Sequence, residues 1–151
     1  MARWVVLLAI IVGCGHPAPA PSSPTSPVGT THAAPIDAAT PPALEDDLPR
    51  LAERAVKFYA DWQQIMAETS DCAAAATKIT ALADANADFI TANAHVMRAG
   101  HDKVVQLRAA LEPHAAELDA SAKAIVQSPT MAACHDNAAF AHAIDRIQGD
   151  S

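Results

Sequence analysis

Residues 44–66 read LEDDLPRLAERAVKFYADWQQIM and carry the clearest helical pattern in the chain. The apolar side chains that recur at alternating intervals of four and three positions are Leu44, Leu48, Leu51, Ala55, Phe58, Trp62 and Ile65. This spacing places them along one side of an α-helix, and Val56, Tyr59 and Met66 widen that side into a stripe suited to burial. Pro49 and the acidic residues before it suit a first helical turn, so the sequence predicts a helix here.

Three more segments continue this pattern, separated by residues that begin or end helices. Ser70 and Asp71 offer a cap for the start of the second helix, and Gly100 is suited to its end. Ser128 and Pro129 suit the cap and the first position of the fourth. The repeating positions are Cys72, Ala75, Ile79, Leu82, Asn86, Phe89, Asn93 and Val96 in the second helix, Val104, Arg108, Leu111, Ala115, Leu118, Ala122 and Ile125 in the third, and Ala133, Phe140, Ile144 and Ile147 in the fourth.

Polar residues and a proline interrupt this pattern. Asn86 and Asn93 lie either inside the apolar side of the second helix, where a polar group fixes register, or at its edge. Pro113 lies well inside the third helix and is expected to kink it. No segment alternates with period two, and short connections favour antiparallel neighbours. The sequence therefore predicts an all-α, antiparallel up-down four-helix bundle over residues 44–151.

The first residues read MARWVVLLAIIVGC, a positive charge followed by an apolar run and a cysteine. The run is shorter than the about 20 residues of a membrane-spanning helix and has the proportions of a secretory signal. Its end, Ile11-Val12-Gly13-Cys14, resembles the lipobox of bacterial lipoproteins, in which the cysteine is lipidated and becomes the mature N-terminus. The resemblance implies a signal peptide at residues 1–13 and a diacylglycerol anchor with further acyl chains, such as palmitate, on Cys14.

Location follows from the same resemblance. A lipidated Cys14 would hold the protein in the cell envelope, outside the cytoplasmic membrane. Gly15, rather than Asp, follows the cysteine, which in Gram-negative lipoproteins implies the outer membrane, facing the periplasm. The alternative is a plain signal peptide with an incidental cysteine.

Residues 14–43 have the composition of a disordered tether. They contain eight of the eleven prolines, mixed with Ala, Ser and Thr, and Asp37 is their only charged side chain. A Pro-rich chain rises about 3 Å per residue, so the tether could hold the helical domain tens of Å from the membrane.

Lipidation of Cys14 would leave Cys72 and Cys134 as the remaining cysteines of an exported protein, where disulfides persist. Each lies near the start of its helix, and the second and fourth helices are parallel in the predicted topology. We therefore predict a Cys72–Cys134 disulfide across 62 positions. These two helices are diagonal in a square bundle, so the bond requires them to approach more closely than that arrangement allows.

Composition and motifs argue against several functions. The formal net charge of −7 is unlike that of a nucleic-acid-binding domain. The sequence lacks a Gly-rich phosphate loop, a Gly-x-Ser-x-Gly elbow and a His-Glu-x-x-His helix. We therefore expect no catalytic residues and no enzyme activity.

Haem and metal binding are weaker hypotheses. Met131-Ala-Ala-Cys134-His135 resembles the c-type haem attachment motif, but a methionine stands where the first cysteine should be. Met66 and His135 would share one end of the bundle, although bundle cytochromes take Met from the start of the first helix and His from the end of the last. His95, His101 and His142 would fall toward the other end, without a preorganising pattern. No cofactor or metal is predicted.

Three functional hypotheses remain. The preferred one is a membrane-anchored envelope lipoprotein that presents a helical module to another envelope protein. The second is a carrier of haem, metal or a small ligand in the bundle core. The third is a periplasmic stress or chaperone-like helper, which would need an exposed apolar groove.

Overall fold

The computed structural model describes residues 41–149, and those from residue 42 onward belong to the compact unit Pro42–Ser151. The predicted signal peptide, the lipidation of Cys14 and nearly all of the predicted tether lie outside the described residues. The α-helices are α1 (Leu48–Glu68), α2 (Cys72–Ala85), α3 (Ala87–Arg98), α4 (His101–Leu111), α5 (Ala115–Val126), α6 (Pro129–Cys134) and α7 (Ala138–Gln148). Short 3₁₀ helices occur at Leu44–Asp46 and Glu112–His114. No strand occurs in this range, and the all-α prediction is confirmed.

The first α-helix begins at Leu48, so Leu44, the first position of the repeat, lies outside it. The Asp47 carboxylate accepts a hydrogen bond from Arg50 N at 3.2 Å and so caps α1, while Pro49 lies in its first turn as predicted. Leu44 instead lies in the preceding 3₁₀ helix. The buried residues of α1 are Leu48, Leu51, Ala52, Phe58, Trp62 and Met66.

The other three predicted helices are each interrupted. The break between α2 and α3 falls at Asn86, whose side-chain amide donates to Leu82 O at 2.9 Å. Pro113, which has no N–H to donate, lies in the 3₁₀ helix between α4 and α5, where the predicted distortion occurs. The fourth predicted helix divides into α6 and α7, because Asn137 caps α7 by accepting from Phe140 N.

Three repeating positions do not face the core. Asn93, Arg108 and Ala133 are exposed, whereas the nearby Ala92 and Leu107 are buried. A strict 3.5-residue repeat drifts from the 3.6-residue turn of an α-helix, and each interruption resets the register. Burying the guanidinium of Arg108 would also cost free energy that burying Leu107 does not.

The strongest helix pairing joins α7 to α2, while α4 and α5 pack mainly on α1. Contacts along α2–α3 and α6–α7 occur in the same order: Cys72 with Cys134, then Asp84 with Arg146, then Ile90 near Gly149. The two segments therefore run parallel. Their closeness agrees with the approach that the predicted disulfide requires.

The described residues contain no helix that is both long enough and apolar enough to cross a membrane.

Candidate functional site

The disulfide end of the domain is defined by Cys72 and Cys134. The structure joins these two cysteines, as predicted, with Cα atoms 5.4 Å apart. Cys72 is the first residue of α2, and Asp71 caps that helix by accepting from Ala74 N at 2.7 Å. Cys134, the last residue of α6, is 0% exposed, whereas Cys72 is only partly buried. The bond therefore links a core position to a helix start near the surface.

A buried hydroxyl group holds the same end together. Thr130 Oγ1 lies 3.0 Å from Met66 O and also hydrogen-bonds Thr69 O, both at the end of α1. One hydroxyl proton is shared between two carbonyl acceptors that the helix end leaves without partners. Ser128 caps α6 by accepting from Met131 N, as predicted. The sequence offered no signal for the Thr130 contacts, because their partners lie more than 60 positions away.

The entry end, where the chain enters the domain at Pro42, is held by a set of polar contacts. Arg50 donates to Pro42 O at 2.6 Å. Lys103 of α4 donates to Glu45 O at 3.2 Å and lies 3.3 Å from Asp46 Oδ1. These charge-assisted bonds hold the first 3₁₀ helix against α1 and α4.

A shallow open depression of about 350 Å³ lies beside these contacts. His95 and Arg98 of α3 contribute to its lining together with Glu45, and His95 Nδ1 lies 3.8 Å from Glu45 Oε1. A second depression, about 470 Å³, lies between α1 and α2 and includes Asp61, Glu68, Lys78 and Leu82. Both open to solvent, so neither has the shape of an enclosed ligand cavity.

The structure separates the candidate haem and metal ligands. Met66 is 1% exposed in the core, whereas His135 is exposed, with ring nitrogens 2.8 Å from Ala132 O and 3.0 Å from Asp136 Oδ2. Within residues 41–149 no three His, Cys, Asp or Glu side chains are grouped closely enough to hold a metal ion. The arrangement thus provides no observation that favours the carrier hypothesis.

An aromatic cluster fills the centre of the domain. Phe58 of α1 and Phe89 of α3 have ring centroids 5.2 Å apart, and Trp62 lies 6.4 Å from Phe58 and 6.0 Å from Tyr59. Burial raises the pKa of Tyr59 above its ordinary value of 10.0, because desolvation disfavours the phenolate. Trp62 Nε1 is buried without a hydrogen-bond acceptor among the described residues. These four rings form part of the packed core of the domain.

Most lysine and arginine side chains in the described part of the chain are paired with carboxylates. The cations in these ion pairs are Arg50, Arg54, Lys57, Lys103, Lys123 and Arg146. Since acidic residues outnumber basic ones in the whole chain by 17 to 10, the pairing leaves a surface with excess negative charge. Such a surface is repelled by anionic lipid.

Comparisons with protein families, with characterised proteins and with solved structures returned no match to this chain.

Proposed function

We propose that this chain is an envelope lipoprotein that is anchored through Cys14 and presents its helical domain to another envelope protein. The observation that carries the proposal is the entry end, where Arg50 and Lys103 hold the start of the domain through Pro42 O and Glu45 O. These bonds fix the point at which the N-terminal segment joins the domain, so a tether would begin at the entry end. The lipobox resemblance supplies the anchor, and the Pro-rich residues supply the distance.

We interpret the domain as four composite rods in an up-down bundle: α1, α2–α3, α4–α5 and α6–α7. Lys103, near the start of α4, contacts the 3₁₀ helix before α1, and Thr130, just after α5, contacts the end of α1. Under this interpretation α1 and α4–α5 run toward the disulfide end, while the other two rods run back toward the entry end. The disulfide end then lies at the opposite end of the domain from Pro42, and we propose it as the surface presented to a partner.

Charge supports separation of the domain from the membrane. Acidic residues outnumber basic ones, so the domain is not expected to adsorb to anionic lipid. The domain would then contact proteins at a distance from its own anchor. A cationic surface on the partner would complement this charge.

The anchor is tested by Cys14→Ser in the full-length chain. We expect the wild-type protein to partition with membranes and to carry the mass of the lipid, and the variant to lose both. An acylated, membrane-bound variant would contradict the lipobox interpretation. Replacement of Ala2 by Ser, in the same leader but outside the lipobox, is the matched control and should leave lipidation unchanged.

The orientation is tested by placing a photo-crosslinking amino acid at single exposed positions in the intact lipoprotein. Ser70 and Gln127 report on the disulfide end, and Asp102 reports on the entry end. We expect a protein adduct of one defined mass from the first two positions and none from Asp102. Adducts from Asp102 alone, or no adduct from any position, would refute the proposed presentation.

A further inference from the structure

We propose that Cys72 is the sulfur at which this disulfide exchanges with an external thiol or with an envelope thiol–disulfide oxidoreductase, and that Cys134 is the protected sulfur. The proposal assigns an order of reaction to the two cysteines and does not depend on the anchor or the partner. It rests on the difference in burial between two residues that share one bond, and on the contacts that hold α6 in place.

The two cysteines differ in how easily an external thiol can reach them. Cys134 is 0% exposed, and α6 is held by the Thr130 hydrogen bonds to the end of α1. A nucleophile can reach Cys134 only after α6 moves away. Cys72 is partly exposed at the first position of α2, next to the exposed Asp71. A thiol can therefore approach Cys72 while the domain remains folded.

The stability of the thiolate that leaves favours the opposite order, attack on Cys134. Attack on Cys134 would release Cys72 at a helix start, where a thiolate is stabilised, whereas attack on Cys72 releases Cys134 into the core. A leaving thiol of lower pKa departs faster, but the attacking thiol must first reach the sulfur with which it reacts. Opening a core position lowers the reactive population on the order of a hundredfold or more. Access therefore outweighs the leaving-group effect.

The exchange step balances without a metal or an added oxidant. The external thiolate forms a bond to Sγ of Cys72, the Cys72–Cys134 bond breaks, and its electron pair goes to Sγ of Cys134, which takes a proton from water. During oxidation the order is reversed. The Cys72 thiolate attacks the disulfide of the oxidised oxidoreductase, which forms a mixed disulfide and releases one thiolate of that enzyme. The Cys134 thiolate then attacks Sγ of Cys72, and the second sulfur of the oxidoreductase leaves as a thiolate.

The test uses the oxidised full-length chain with Cys14→Ser, so that the only cysteines are the two in the bond. The folded protein is exposed briefly to reduced glutathione, quenched with acid, alkylated and mapped by mass spectrometry. We expect chains with glutathione on Cys72 and the alkyl group on Cys134 to exceed the inverse product at least about tenfold. Equal amounts, or an excess of glutathione on Cys134, would overturn the proposal.

Two controls separate access from intrinsic reactivity. In guanidinium the preference should fall to within a few-fold, and a preference unchanged by unfolding would refute an origin in the fold. Cys134→Ser and Cys72→Ser, each with Cys14→Ser, leave one thiol apiece, and helicity confirms their folding. An aromatic disulfide reagent should label Cys72 at least about tenfold faster than Cys134, and the opposite order would refute the assignment. If either variant unfolds, the peptide map of the oxidised chain alone decides.

Discussion

Removal of the disulfide should lower the free energy of unfolding of the domain. The bond closes a loop of 62 positions, for which the chain-entropy relation assigns about 4 kcal/mol of stabilisation through the unfolded state. With a urea dependence of about 2 kcal/mol per molar, reduction should lower the unfolding midpoint by about 2 M. In a domain of this size the same loss lowers the melting temperature by roughly 16 °C.

The assay is urea unfolding followed by circular dichroism on the Cys14→Ser chain, with and without dithiothreitol. The double variant Cys72→Ala/Cys134→Ala removes the crosslink together with the packing of two sulfur atoms. Its midpoint should lie slightly below that of the reduced protein, because Cys134 is fully buried. The same variant controls for the reductant, since dithiothreitol should not change its midpoint.

The reasoning fails if reduction lowers the midpoint by less than about 0.5 M, since this would leave under about 1 kcal/mol for loop closure. A large shift that appears equally in the double-alanine variant would show that dithiothreitol acts elsewhere. If the reduced chain is unfolded before urea is added, the free energy of unfolding of the oxidised domain is smaller than the contribution of the bond. That result would agree with a small core rich in alanine.

Three further predictions follow from individual side chains. Burial should keep Tyr59, the only tyrosine, protonated beyond pH 10.0. The stability that depends on its neutral phenol is fully present below the unfolded pKa and is lost as the pH rises through the folded pKa. Tyrosinate absorbance, with Tyr59→Phe as control, measures this ionisation. Thr130→Val leaves buried carbonyl groups without a donor and should lower the free energy of urea unfolding by about 1–3 kcal/mol. Thr77→Val on the surface should lower it by under about 1 kcal/mol. Equal losses would refute the role of the buried hydroxyl. Phe140 is 1% exposed, so Phe140→Ala should lower the free energy of unfolding by about 3–5 kcal/mol. Val126 is 57% exposed, and Val126→Ala should lower it by about 0.5 kcal/mol or less. A mild effect at Phe140 would contradict its place in the core.

Two helix starts were predictable because a side chain there accepts a hydrogen bond from the nearby backbone. Asp71 and Ser128 each accept from a backbone N–H three residues on, an interaction that depends only on local sequence. Pro113 and Gly100 likewise act through their own backbone geometry, and both mark interruptions in the structure. The helical class and most connections could therefore be predicted from the sequence.

The side of a helix that becomes buried was less predictable after each interruption. Asn93 follows the break at Asn86 and is exposed, although the repeat left open whether it lay inside the apolar side or at its edge. Ala133, which belonged to the repeat, is exposed just before the break at Asn137. The repeat also included Arg108, whereas the neighbouring Leu107 is the residue that is buried. The packing of α4 against α1 buries Leu107 and leaves the charged group of Arg108 in water, where its solvation costs no free energy.

The sequence by itself determined the helical class, the caps and the pairing of the two cysteines in the domain, because periodicity, local hydrogen bonds and cysteine count do not require knowledge of distant neighbours. Only the tertiary structure decided that Thr130 bonds to the end of α1, that Lys103 and Arg50 hold the entry end, and that one cysteine is buried while the other is partly exposed. These features join residues far apart in the chain or depend on which face packs inward. Local sequence rules specify neither.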